Sequence, residues 1–380
     1  MMTAYTTEVD EVEDALSEIF SQIDLGALRK NSVGLITCHF DFTDTGVIKE
    51  LCGRLPFDVI GMTTMASANR RGFGMYALSL TVLTSDDVFF QAGATAPLES
   101  GGYHGEIAAA YTRISQKLPG PPVMAVGFFP YLNTLSGAAM VSSFDSVCGG
   151  IPVWGSLATT INANPEKCYA FHNGGQEPNV LAMLLIHGPV DPGFFVVSIP
   201  KQKIRENRGM ITNSEGCILK EINGIPALAY FESLGVVIMK DAPIVTPLII
   251  YYEGAVEPVA LGAYIVNADG SLVCGGEMPK GAMIAVGEIT PDGIISTAEE
   301  CINRALGSGK KNGALLLPCV TRYVTLAPNQ NSEMDRVAEM IGDSMPYMLG
   351  YSGGEVCPVL DESGTWRNRF HNYTFSACVF

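Results

Sequence analysis

Residues 57–67 read FDVIGMTTMAS, and the same grammar returns as IPVWGSLATT at 151–160 and MPYMLGYSGGE at 345–355. In each, a short apolar run of buried-strand character ends in a tip of Gly, Ser and Thr. Before each lies another apolar run, VGLIT (33–37), VMAVG (123–127) or ALLLP (314–318), with a polar loop and a helix between. The spacing is irregular, which excludes a solenoid. An ancient duplication and the generic strand–helix–strand unit both account for it. The tips carry chemistry, since Gly lets backbone approach a ligand and Ser or Thr both donates and accepts.

Around these runs the periodicity predicts helices over 9–23, over 107–118, from a Thr297–Glu300 capping box to Gly307, and from Ser332 through Ile341. YALSLTVL and VFFQAGA, flanking Ser85-Asp86-Asp87, suggest a hairpin, as do GAYIV and SLVCG around 267–270. VLAMLLIH and FFVVSI add two long strands. The expected fold class is α/β (α+β with mixed sheets), with helices packed on the sheet faces in an α-β-β-α layering. Two domains are expected: 31–220, with residues 1–30 supplying an amphipathic helix to it, and 221–380. The boundary falls after the basic stretch KQKIRENRG (201–209).

The composition excludes several functions. The chain has 380 residues, 39 acids against 23 bases, and a formal charge of −16. Nucleic acid and anionic membranes need clustered bases, so neither is an expected partner. Apolar stretches are interrupted by Glu253, His187 or Pro130 before reaching bilayer length, so membrane insertion is not expected. Ten cysteines without a CxxC pair fit a soluble cytoplasmic protein without disulfides, zinc or another cofactor.

Gly72-Phe-Gly74-Met-Tyr-Ala77 matches a dinucleotide fingerprint but precedes an alternating strand where a helix is needed. GSGKK (307–311) lacks the earlier Gly and the final Ser/Thr of a phosphate loop. Gly350-Tyr351-Ser352-Gly353-Gly354 fits a nucleophile elbow, and Asp361 and His371 follow in hydrolase order. Pro358 and Gly364 leave no helix after that serine, so a Gly-rich turn competes with catalysis. His39, Asp41 and Asp44 lack a second histidine for a metal; Asp44 or Thr45 caps the next helix instead. His104 sits at a helix start, in a capping or exposed role. Arg322 and Glu355 stand at the ends of apolar strands, beside glycines in the case of Glu355. They are candidates either to engage a ligand or to pair with each other.

INGIPALAYFESLG (222–235), LLLPCVTR (315–322), GYSGGEVCP (350–358) and FHNYTFSACVF (370–380) resemble the C-terminal half of the FIST family. FDVIGMTTMAS, PVWGSLATT and LAMLLIHGP resemble its N-terminal half. The ordered series Cys319-x-x-Arg322, Gly354-Glu355 and Asn372-x-Thr374 carries most of the weight. Ser156 and Ser352-Gly353 depart from the commoner tips. The resemblance implies an intracellular sensory module binding an amino acid or related metabolite, with no established reaction and a separate signalling output protein as partner.

The resulting expectation is a receptor for a small polar molecule. Arg322 holds a ligand carboxylate or phosphate, Glu355 accepts from an amine or hydroxyl, and Thr63, Thr64, Thr159, Ser352, Gly353, Gly354 and Asn372 supply neutral hydrogen bonds. The competing expectation is a hydrolase or acyl-transferase using Ser352 (with Asp361 and His371) or Cys319 as nucleophile.

Overall fold

A computed structural model describes residues 1–132, 135–160, 165–239 and 245–380. All six apolar runs quoted above form strands, and they pair in parallel two by two. Asn31–Cys38 lies beside Val59–Thr63, Met124–Phe129 beside Val153–Leu157, and Ala314–Pro318 beside Tyr347–Gly350. Helices make each crossover: Val47–Arg54, Gly137–Cys148, and Val320–Thr325 with Ser332–Ile341.

Each pair is the centre of its own mixed sheet. The flanking strands Leu78–Ser85, Ala182–His187 and Phe375–Val379 run antiparallel to the first strand of their pair. The three sheets exchange strands cyclically. After Thr63 the chain joins the third sheet as Ser67–Asn69. After Leu157 it joins the first as Ala170–His172, and after Gly350 it joins the second as Glu355–Leu360. The recurrent sequence pattern is therefore a recurrent topology, and each small-residue tip is the point where the chain changes sheets.

Strand alternation explains the core. Val33, Leu35, Ile60 and Met62 of the first sheet meet Val126, Phe128 and Trp154 of the second and Leu315, Leu317 and Met348 of the third in one apolar cluster. The alternate residues face outward onto helices: Ile36 and Val59 onto Val12–Gln22 and Val47–Arg54, Leu316 and Leu349 onto Pro291–Gly307 and Ser332–Ile341. Sheets thus face one another inside and helices lie outside, as the two periods dictate. Between residues 209 and 286 an eight-stranded antiparallel sheet is added. Among the described residues no helix is long and apolar enough to cross a membrane.

Several expectations need correction. Leu78–Ser85 and Phe89–Ala94 are not a hairpin, for they pair in different sheets and Ser85-Asp86-Asp87 carries the chain between them. The helix assigned to a Thr297 cap starts about two turns earlier, at Pro291, with the Thr290 hydroxyl accepting from Gly293 N. Thr297 lies inside it, donating to Gly293 O at 2.7 Å. Neither Asp44 nor Thr45 caps Val47–Arg54, whose N-cap is Gly46 with φ +86; Asp44 pairs with Lys167 at 2.6 Å. His104 sits exposed in the first turn of helix Tyr103–Ser115, as expected, with its Nδ1 2.8 Å from Ser143 Oγ. The hairpin Ala263–Val266 with Leu272–Cys274 forms as expected.

Candidate functional site

The three tips meet. Just past the end of each parallel pair a backbone amide bonds across it: Thr64 N to Cys38 O, Ala158 N to Phe129 O, and Ser352 N to Pro318 O, each at 2.8 Å. The tips then bond to one another. Thr159 N donates to Thr63 O at 3.0 Å, Gly353 N to Leu157 O at 2.9 Å, Tyr351 N to Ala66 O at 3.0 Å, and the Thr64 hydroxyl to Tyr351 O. Thr63, Thr64, Thr159 and Ser352 are all buried. The structure brings these residues together. Their hydrogen-bonding capacity, however, closes a three-way junction and is not aimed at open space. A Cβ on Gly353 would stand 2.9 Å from Ala158 O, so glycine there is required by the approach of the chains.

Arg322 is fully buried, and its five N–H groups all have partners. Nε and Nη2 donate to Glu333 Oε1 at 2.9 and 2.5 Å, and Nη2 also to Ile294 O at 2.7 Å. Nη1 donates to Thr297 Oγ1 and Tyr373 O, both at 3.1 Å. The other oxygen of Glu333 accepts from Tyr351 OH at 2.8 Å. This corrects both expectations for Arg322: it pairs with Glu333, not Glu355, and has no donor left for a ligand carboxylate. It joins helices Pro291–Gly307 and Ser332–Ile341 to the third tip. The Glu333 partner had a signal in the sequence. Glu333, Val337 and Ile341 fall at i, i+4 and i+8, so the acid shares the helix face that enters the core.

Glu355 is therefore left without a cation. It is fully buried, and no Lys, Arg or His among the described residues lies within ion-pair distance of it. Oε1 accepts from the Ser352 hydroxyl. Oε2 accepts from Thr374 Oγ1 at 2.6 Å and from Thr374 N at 3.3 Å. Burial pushes its carboxyl up to about 8, against the pull of the Ser352 and Thr374 hydrogen bonds and the more distant Arg322 charge. Asn372 lies between the third tip and the antiparallel sheet: its Nδ2 is 3.3 Å from where a Cβ on Gly354 would stand, and its Oδ1 accepts from Gly262 N at 2.9 Å. Tyr264, which the sequence did not single out, packs beside Asn372 and keeps 38% of its surface accessible.

The catalytic trio does not assemble. Ser352 Oγ is engaged with Glu355 and accepts from Gly354 N at 3.1 Å. His371 Nε2 is 3.2 Å from Cys357 O, and burial lowers its pKa to about 4, so the ring is neutral near pH 7. Asp361 lies in a turn, its carboxylate held low by Ser363, Thr365 N and Arg367. The Cys319 thiol, 2% exposed, is pushed by burial up to about 12 and donates to Thr321 Oγ1 at 3.6 Å, with no base in contact. A nucleophile requires an adjacent base or a lowered pKa. Cys319 has neither, and beside Ser352 stands the Glu355 carboxyl in place of the expected His371. Among the described residues no three His, Cys, Asp or Glu side chains are grouped to hold a metal.

Thr374 and His371 also form part of the lining of a cleft of about 470 Å³ between residues 196–208, the 251–258 segment and helix Pro291–Gly307. Through Thr374, the buried Glu355 lies one hydrogen bond behind the cleft wall.

Two family models match the chain in succession, the FIST N domain over residues 32–225 and the FIST C domain over residues 223–358. No curated protein matches it. Among solved structures, a cyanuric acid hydrolase described as an innovation by structural concatenation aligns over 100% of both chains at 8% identity and a TM-score of 0.36. The cyanuric acid hydrolase of A. caulinodans aligns over 100% of this chain and 99% of its own at 9% identity and a TM-score of 0.35.

Proposed function

The chain belongs to the FIST family, whose domains are sensory, and from that membership we propose that it is a receptor for a small polar metabolite, an amino acid or a related amine-bearing compound, sensed at Glu355. One observation carries the reading: Glu355 is a buried carboxyl with hydroxyl and amide partners and, among the described residues, no cation. Burying an acid this way costs stability, and such costs concentrate at functional sites. Near neutral pH the group is mostly protonated, and one of its hydroxyl partners, Ser352 or Thr374, then accepts the carboxyl proton. An ammonium brought close favours the ionised form, so ligand arrival and proton release are coupled at one atom pair. Ser352 and Thr374 report that change to two different strand ends, and the ligand state passes from there to a separate signalling protein. The ten unpaired cysteines support a reducing, cytoplasmic setting.

A thermal-shift screen of amino acids, amines and organic acids tests this. An amine-bearing compound is expected to raise Tm by mass action in the wild type and in Asp361→Asn, and not in Glu355→Gln. Absence of a shift with every compound, or an undiminished shift in Glu355→Gln, sinks the proposal.

A further inference from the structure

In a chain of 39 acids and 23 bases, Lys201, Arg205, Arg208 and Arg304 line one cleft. Three acids share its walls, Glu206, Glu257 and Glu300. Glu300 faces Arg304 at 3.7 Å, whereas Lys201 and Arg208 have no acid within ion-pair distance among the described residues. Glu206 and Glu257 are exposed.

Arg205 and Arg208 are held in place, while the Lys201 side chain is exposed. The segment enters through the single turn Lys201–Lys203 and is bridged at Ile204 to Gly287. Arg205 N donates to Val286 O at 2.9 Å, and Arg205 Nη1 to Leu234 O at 2.8 Å. The Arg208 guanidinium lies over the Tyr251 ring at 3.8 Å from its centroid. Stacking uses the face of the guanidinium and leaves its edge, where the N–H fork is, free to meet a planar or tetrahedral oxyanion. A volume of about 470 Å³ is that of a small-metabolite pocket.

We propose that this cleft is an anion-binding site that takes a small molecule bearing a carboxylate or phosphate head group, with Arg208 as its fork and Lys201 as a second cation. The site is argued from the cleft's own charges, so it stands apart from the role given to Glu355.

Calorimetric titration of the full chain with inorganic phosphate and with succinate, at low ionic strength, tests it. At least one probe is expected to bind saturably. Arg208→Gln and Lys201→Gln should each weaken binding about tenfold, the usual loss for a charge-assisted hydrogen bond. Arg208→Lys should recover part of the loss, and Lys117→Gln, an exposed base outside the cleft, should bind as the wild type does. Preference between the probes identifies the head group as phosphoryl or carboxylate. No saturable binding of either probe, or equal weakening in Lys117→Gln, overturns the site.

Discussion

Glu355 and His371 face each other across the strand pair Glu355–Leu360 and Trp366–His371, and burial moves them in opposite directions. Glu355 rises from 4.5 to about 8, so it is protonated in the folded chain while ionised in the unfolded one. Its contribution is full below about pH 4.5 and is lost as pH rises through 8. His371 falls from 6.5 to about 4, so its contribution is present above 6.5 and lost as pH falls through 4. The two oppose each other between 4.5 and 6.5. Glu355 acts alone between 6.5 and 8. Glu355→Gln should therefore gain on the wild type by a few kcal/mol, on the order of 1.4 per pH unit, across that upper window. Urea unfolding at pH 6.5, 7.2 and 8 measures it; parallel stability curves for the two proteins contradict a protonated Glu355. The sequence marked Glu355 and Arg322 as unusual but not their partners. A strand end next to glycines announces a special residue, whereas which acid reaches Arg322 depends on a helix eleven residues further along the chain.

Elements were more legible than contacts. Six buried runs became six strands because apolar runs of that length, bounded by turn residues, have few other solutions. The strand Met2–Thr6 escaped notice, since MTAYT carries little apolar signal. The false hairpin arose because a Ser-Asp-Asp turn looks alike whether the next strand folds back or leaves for another sheet. Glycines show the same ambiguity. Gly155 faces Gly127 in the parallel pair, and a Cβ there would stand 1.9 Å from Gly127 O, a backbone atom that cannot rotate away. Gly53 lies in the helix Val47–Arg54 with nothing within 4 Å of its would-be Cβ. Gly155→Ala should cost more than about 3 kcal/mol or prevent folding. Gly53→Ala should gain about 0.5 kcal/mol through helix propensity and the unfolded-state entropy. Denaturant midpoints decide, and a tolerated Gly155→Ala contradicts the close packing of the second sheet's central pair.

At the scale of the molecule, local periodicity carries no information about which sheet a strand joins, and here the exchange of strands decides the architecture. The two family models meet at residues 223–225. The sheets do not respect that division. The second sheet takes Glu355–Leu360 and Trp366–His371 from the C-terminal part. The third sheet has its parallel pair there but draws Ser67–Asn69, Gly72–Gly74 and Gly193–Val197 from the N-terminal part. A chain ending at residue 222 would expose Val153–Leu157 as an open edge and strip Leu315, Leu317 and Met348 from the shared core. Burying those three side chains is worth roughly 2 kcal/mol each, together comparable to the whole net stability of a domain. Fragments 1–222 and 223–380 expressed separately should therefore be insoluble or lack dispersed amide resonances. Co-expression should yield a complex that unfolds, like the intact chain, in one transition. A cooperatively folded 1–222 fragment on its own contradicts the interleaving of the three sheets.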